Sequence, residues 1–330
     1  AHRRIRVLQA AAVAHPNIAL IKYWGKQDGP GNRPAVPSLS LTLDTLFSHT
    51  RVRFDPELAA DSITINGDRD GKPAARVSRC LDLFRARAGR RQYAHVESRN
   101  NFPTGAGLAS SASGFAALVV AADRALALDL PRPELSRIAR RSSGSAARSL
   151  YGGFVEMPLD AEEETARPLL DAVDWPLAVV VAVTDTAAKS IGSTEGMTRT
   201  ARTSDYYQSW IDAAGRDFDD ARAAVEQRDF SRLARVSEKS CLKMHGLMLS
   251  ADPGLIYWNP ATVACLHRLR GLREQGAAVF FTMDAGPQVK AVCLPGDRER
   301  VVESLASVPG VVDVLVTGLG PGARVVDDTW

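Results

Sequence analysis

Residues 100–115 read Asn-Asn-Phe-Pro-Thr-Gly-Ala-Gly-Leu-Ala-Ser-Ser-Ala-Ser-Gly-Phe. Gly105 and Gly107 are followed by the hydroxyls of Ser110, Ser111 and Ser113, and then by an apolar run from Phe115 to Leu128. That run has the length and the Ala/Leu content of a buried helix. A glycine loop feeding a helix start lets backbone N–H groups crowd an anion, while the helix dipole favours negative charge there. The serine hydroxyls can reach phosphate oxygens or a magnesium ion. Alone, the stretch reads either as a nucleotide-phosphate loop or as a glycine-rich turn before a core helix.

Neither standard phosphate fingerprint is present. Gly67-Asp-Arg-Asp-Gly71-Lys72 is one residue short of a Walker loop and continues with Pro73, so it reads as a polar hairpin turn. Gly105-Ala-Gly107-Leu-Ala-Ser110 lacks the third packing glycine of a dinucleotide fold, and no ribose-binding acid follows a strand.

With 330 residues the chain can form two ordinary domains. A net charge of +3 is too small for a dedicated nucleic-acid surface and suits an anionic metabolite. No apolar run has the length needed to span a bilayer, and no apolar leader follows the N-terminal arginines. Cys80, Cys241, Cys265 and Cys293 are widely spaced and read as small core residues in a reducing compartment. The expected location is the cytoplasm.

Strand-like alternation marks residues 5–13, 50–54, 62–65 and 94–98, with helical patterns at 77–88, 111–128 and 133–140. Strand signals return at 152–157 and 177–184. From about residue 185 the texture changes to long helical stretches at 205–227, 230–249 and 259–275. Strands at 277–283, 288–293 and 311–317 and a helix at 297–307 complete the chain. The mixture lacks regular βα alternation, so an α+β fold in two halves, 1–185 and 186–330, is expected.

Four further segments carry chemistry. Lys22 and Lys26 flank Tyr23, Trp24 and Gly25, either as two cations for a polyanion or as snorkelling lysines at a strand end. In Ser143-Gly-Ser-Ala-Ala-Arg148, a helix starting near Ser143 would place Ser145 and Arg148 on one face, converging on an acid. The alternative is a serine-rich cap with a surface arginine. Asp284 ends an apolar strand before Ala-Gly286-Pro287, as a turn former or a functional base. Residues 184–197, with Lys189, Ser193 and Thr194, read as a polar loop between the halves, where substrates commonly bind. His245 reads as a cleft residue or, more often for a lone helical histidine, a satisfied core residue.

Taken in order, these segments resemble the GHMP small-molecule kinase superfamily and, within it, the diphosphomevalonate decarboxylases. The resemblance rests on Asn17-Ile-Ala-Leu-Ile-Lys-Tyr-Trp-Gly-Lys26 and Asn101-Phe-Pro-Thr-Gly-Ala-Gly-Leu-Ala-Ser-Ser-Ala-Ser113. It continues through Ser143-Gly-Ser-Ala-Ala-Arg148, Ser193-Thr-Glu-Gly-Met197 and Thr282-Met-Asp-Ala-Gly-Pro287.

This resemblance implies a two-domain GHMP-kinase-like fold, with an N-terminal half like ribosomal protein S5 domain 2 and a ferredoxin-like C-terminal half. The active site would lie in the cleft between them. It implies ATP with Mg²⁺ and the small-molecule substrate (R)-5-diphosphomevalonate, phosphorylated at its C3 hydroxyl and then decarboxylated to isopentenyl diphosphate. Asp284 would be the catalytic base, Arg148 the carboxylate clamp, and Lys22 a third catalytic group. The substrate would meet Tyr23, Trp24, Gly25, Lys26, Arg76, Ser143, Gly144, Ser145, Ala146, Ala147, Ser193 and Thr194. ATP would lie along Pro103, Gly105, Gly107, Leu108, Ala109, Ser110 and Ser111, with Ser110 near magnesium through the phosphates. A homodimer is implied; no nucleic-acid or membrane partner is expected. Three rivals stay open: C3 phosphorylation without decarboxylation, a monophosphate substrate, and a non-catalytic anion- or nucleotide-binding protein on the same scaffold. Ala147 stands where Cys or Ser is common, and Gln288 replaces an Asn, which leaves the packing beside Asp284 open.

Overall fold

The structure, a computed structural model, describes residues 8–102, 108, 110–159, 165–187 and 190–327. Pro103, Gly105, Gly107, Ala109 and Lys189 lie outside the described residues. The first half contains β1 (Leu8–Ala14), β2 (Asn17–Ile21), β3 (Ser38–Thr42), β4 (Ser48–Asp55), β5 (Ser62–Ile65) and β6 (Asp68–Arg69). It continues with α1 (Ala74–Ala88), β7 (Tyr93–Asn100), α2 (Ser110–Leu126), α3 (Arg132–Ser142), β8 (Phe154–Met157), β9 (Arg167–Leu170) and β10 (Ala178–Val183). The second half contains α4 (Ser193–Thr203), α5 (Tyr207–Glu226), α6 (Phe230–Leu249) and α7 (Pro260–Glu274). It ends with β11 (Val279–Thr282), β12 (Val289–Cys293), α8 (Arg298–Ala306), β13 (Asp313–Gly318) and β14 (Arg324–Val326).

Among the described residues the strands form a six-stranded sheet β14-β1-β4-β7-β5-β6 and two four-stranded sheets, β2-β3-β8-β9 and β11-β12-β10-β13. The α+β class follows. Along β4 the buried residues alternate as Ser48, Thr50, Val52 and Phe54, placing one face of the large sheet on α2. From Phe115 to Ala122 every residue of α2 is buried, as expected of a helix covered on all sides. A hairpin forms beside the segment 67–72, but its tight turn is Asn66-Gly67 and Asp68–Arg69 are already β6, with Ile65 opposite Asp68.

β10 joins the halves. Val179 and Val181 enter an apolar cluster with Leu20 and Leu41 of the small N-terminal sheet and Phe218 and Phe280 of the C-terminal half. Val180 and Ala182 face a second cluster with Leu269, Phe281 and Val301. A strand covered on both faces reads as a continuous apolar run rather than an alternating one. Each large side chain buried in this seam contributes about 1.5–3 kcal/mol, which binds the halves around the space they enclose. The last strand returns to the first sheet, with β14 pairing on β1.

Three local expectations are corrected. No helix begins at Ser143: α3 ends at Ser142, Ser143 is its extended C-cap, and Arg148–Leu150 form one 3-10 turn. Residues 193–203 form α4 rather than a polar loop, because Met197 and Thr200 give that segment a buried face. Ser38-Leu-Ser-Leu-Thr is an unanticipated strand whose five residues are all buried.

Candidate active site

A cleft of about 1110 Å³ opens between the halves, walled by residues from both. Several segments supply its chemistry.

The first follows β2. Lys22 is 1% exposed; its Nζ donates to the Ala19 carbonyl at 2.6 Å and to Asp284 Oδ1 at 3.2 Å. It does not snorkel. Trp24 is also buried, its indole N–H donating to Thr200 Oγ1 at 2.8 Å while its carbonyl accepts from Trp210. Tyr23 lines the cleft, and its buried hydroxyl lacks a hydrogen-bond partner among the described residues. Burial pushes this phenol up to about 12. Lys26 reaches Asn32 Oδ1 at 2.8 Å and Thr194 Oγ1 at 3.3 Å, so it spans the mouth from the first half to α4.

Arg148 occupies the floor at 2% exposure. Its Nε donates to Ser40 Oγ at 3.0 Å, Nη1 to Ser38 Oγ at 2.7 Å and Nη2 to Asn17 Oδ1 at 3.1 Å. A guanidinium has five N–H donors, so two remain for a ligand. All three partners are neutral, which leaves a buried positive charge facing the cleft. Burial lowers its pKa to about 10, still a cation at neutral pH. The serine face of β3 is buried because it carries this arginine.

Asp284 follows β11 and is gripped on both oxygens, by Lys22 at Oδ1 and by Lys290 at Oδ2, each at 3.2 Å. Burial pushes its carboxyl up, but the two ammonium groups and their hydrogen bonds outweigh that and hold it well below the usual carboxylate range. The turn after it is fastened from two sides. Thr262 at the capping box of α7 donates to the Pro287 carbonyl at 2.8 Å. Gln288 accepts from Thr184 N–H at 2.6 Å and donates to the Asp185 carbonyl. Gln288 therefore ties the Asp284 turn to the end of β10.

The remaining wall carries hydroxyls and cations. Ser143 Oγ lies 3.4 Å from both Ser111 Oγ and Ser145 Oγ. Arg76 Nη2 donates to the Ser142 carbonyl at 2.7 Å, and its guanidinium stacks 4.9 Å from the Phe115 ring centroid. Arg79 and Arg141 add two more cations. Arg76 and Ser111 also line an apolar pocket of about 120 Å³ beside the start of α2, together with Ser110, Phe115 and Leu118.

The structure thus brings Lys22, Tyr23, Trp24, Lys26, Arg76, Ser111, Ser143, Gly144, Ser145, Arg148, Ser193, Thr194 and Asp284 to one cleft. Three expected substrate contacts are absent from its wall: Gly25 is covered by Tyr207, and Ala146 and Ala147 pack into apolar clusters behind Arg148. Leu108 is buried in the seam between the halves. His245 is a core residue, pushed down to about 3 by burial.

Sequence reading missed Ser38, Ser40 and Lys290. The alternation of residues 38–42 and a lone lysine inside Gln-Val-Lys-Ala-Val-Cys were the available signals, since charged residues enter buried strands only when paired.

Residues 14–167 match the diphosphomevalonate decarboxylase-like N-terminal domain, and residues 179–315 match the mevalonate 5-diphosphate decarboxylase C-terminal domain. The chain belongs to the diphosphomevalonate decarboxylase family. Among solved members of that family, mevalonate diphosphate decarboxylase from Staphylococcus aureus is 37% identical. It superposes with a TM-score of 0.93 over 99% of this chain and 100% of that one. The family member MDDEF, solved in complex with MVAPP, AMPPCP and magnesium, is 38% identical with a TM-score of 0.90 over 97% and 99% of the two chains. Phosphomevalonate decarboxylase of Haloferax volcanii is 31% identical over 98% of this chain and 99% of its own.

Proposed function

We propose that the cleft converts (R)-5-diphosphomevalonate and ATP to isopentenyl diphosphate, ADP, phosphate and CO2. The observation that carries this reading is the meeting of an ionised carboxylate, Asp284, with a buried arginine seated on neutral partners, Arg148, in one cation-lined cleft. A kinase needs the first; a decarboxylase also needs a clamp for the carboxylate that leaves.

In the first step Asp284 accepts a hydrogen bond from the C3 hydroxyl and takes its proton as the γ-phosphoryl group moves from ATP to that oxygen. A loose phosphoryl transition state asks little of the nucleophile, so a weakly basic carboxylate that orients the hydroxyl is sufficient. In the second step the C3–O bond breaks and phosphate departs with the electron pair. The C1–C2 bond then breaks, its electrons forming the C2–C3 double bond as CO2 leaves. Arg148 holds the substrate carboxylate through its two remaining N–H donors until that cleavage.

Lys26, Arg76, Ser143, Ser145 and Thr194 hold the diphosphate in this proposal, with Tyr23 and Ser193 beside them. Ser110 and Ser111 stand next to the ATP phosphates. The orphaned Tyr23 hydroxyl fits an anionic oxygen, and the serine hydroxyls fit a hard, oxygen-loving cation. Magnesium carried with the nucleotide supplies charge neutralisation at the phosphates.

The test supplies ATP, Mg²⁺ and diphosphomevalonate and follows ADP, phosphate and CO2 together, with phosphomevalonate in a parallel reaction. Equal amounts of all three products support the reading. ADP without CO2 overturns decarboxylation, and a higher kcat/KM on the monophosphate overturns the diphosphate assignment.

The proposal extends to a cytoplasmic homodimer, checked by sedimentation equilibrium. It also includes two halves, 1–185 and 186–330, with β10 at the end of the first lying between β12 and β13 of the second.

A further inference from the structure

Asp284 is bracketed by two ammonium groups, and only one of them belongs to the cleft. Lys22 and Asp284 line it; Lys290 does not. Both lysine side chains are 1% exposed, whereas Asp284 keeps 29% of its side chain open toward the cavity. Lys290 sits on β12 opposite Thr282 of β11, which sets its ammonium behind the carboxylate that emerges two residues later. Lys22 approaches from the other side and divides its donors between Asp284 and the Ala19 carbonyl.

This asymmetry matters once an anion arrives. A ligand phosphate or carboxylate in the cleft competes with Asp284 for the Lys22 ammonium. If Lys22 were the sole counter-charge, Asp284 would be left desolvated and uncompensated, a condition that favours its protonation. A protonated Asp284 cannot accept the proton of the C3 hydroxyl. Lys290 is out of the ligand's reach and cannot be drawn away.

We propose that Lys290 is a positioning residue that keeps Asp284 ionised and aimed from behind while Lys22 turns toward the ligand. The inference rests on the reading of Asp284 as acceptor of the C3 hydroxyl proton. Among the described residues, the other groups packed around the carboxylate do not replace it. Arg148 contributes attraction from the cleft floor, where it serves the substrate. On α6, burial pushes the Cys241 thiol up and His245 down to about 3, so both are neutral at pH 7. Among the described residues, Lys290 is thus the cation whose grip on Asp284 does not depend on what fills the cleft.

The experiment compares the parent with Lys290→Met, alone and combined with Asp284→Asn, in steady-state turnover of ATP and diphosphomevalonate. Calorimetric titration with AMPPCP gives nucleotide affinity. Lys290→Met is expected to lower kcat by roughly 10- to 100-fold, as partial loss of a proton acceptor does, with AMPPCP affinity within about twofold. Its low-pH limb of kcat is expected to move to higher pH, because removing a cation raises the Asp284 pKa. In the Asp284→Asn background the same substitution should cost less than about twofold, since its effect passes through that carboxylate.

A full independent loss in the double variant, an unmoved low-pH limb, or parental kcat overturns the proposal. If Lys290→Met does not fold, Lys290→Gln, which keeps an N–H donor but no charge, must show the same shift of the limb; a parental profile overturns the proposal. A parent enzyme that releases no CO2 would instead fail the underlying reading.

Discussion

Nη1 of Arg148 donates to Ser38 Oγ at 2.7 Å, so the cation on the cleft floor rests on a neutral hydroxyl rather than a carboxylate. The choice of partner has a consequence. A carboxylate there would cancel the guanidinium charge, whereas serines and an asparagine fix its plane and leave the charge for a ligand. Arg148→Lys should therefore lower kcat/KM by roughly 10²-fold or more, because a single ammonium cannot satisfy Ser38, Ser40 and Asn17 and still grip a carboxylate. Steady-state kinetics decide it: a variant within about twofold of the parent would remove Arg148 from the clamp role.

Asp284→Asn keeps the size of the side chain but removes the proton acceptor and the attraction for Lys22 and Lys290. Turnover should fall by about 10²–10⁴-fold while AMPPCP still binds. Near-parental turnover in a stopped assay of CO2 release would exclude the base role.

Gly144 packs against Tyr23 so closely that a Cβ there would lie 2.3 Å from the tyrosine hydroxyl oxygen. Gly144→Ala should displace the Tyr23 ring from the cleft, raising KM for the phosphorylated acid several-fold with little change in Tm. An unchanged KM would show that the Tyr23 position does not matter for binding.

His245 provides a stability test with a defined sign. Burial lowers its pKa to about 3 in the folded protein, against an ordinary value near 6.5. The unfolded chain therefore binds one more proton between those values, and the stability His245 contributes above pH ~6.5 is lost progressively as pH falls toward 3. His15 is lowered by burial as well and adds a slope of the same sign. Denaturant unfolding of His245→Asn against the parent should show a flatter dependence on pH in that window, by up to about 1.4 kcal/mol per pH unit. Parallel curves would contradict a buried neutral imidazole.

Much of the fold was legible where a pattern was local. The run 115–128 announced α2 because every turn of it is apolar, and the polar, glycine-rich segment 67–72 announced a hairpin whose turn falls one residue earlier, at Asn66-Gly67. β3 was not legible in the same way, since Ser-Leu-Ser-Leu-Thr signals a half-exposed strand and only Arg148, arriving from residues away in sequence, buries its serine face. The Ser143 segment misled for a related reason. A serine-rich start looks like a helix N-cap, but here the preceding helix α3 ends there and the turns that follow present Arg148.

By itself the sequence determined the residue types of the site and their order along the chain: the lysine pair, the serine–arginine segment and the Asp-Ala-Gly-Pro turn. Only the tertiary structure decided their partnerships. Lys22 approaches Asp284 from 262 residues away, and local periodicity cannot encode a contact between segments so far apart, whereas Lys290, 6 residues on, is set against it by the pairing of β11 with β12. That pairing, and the neutral seat under Arg148, exist because the apolar seam through β10 draws the two halves together around the cleft.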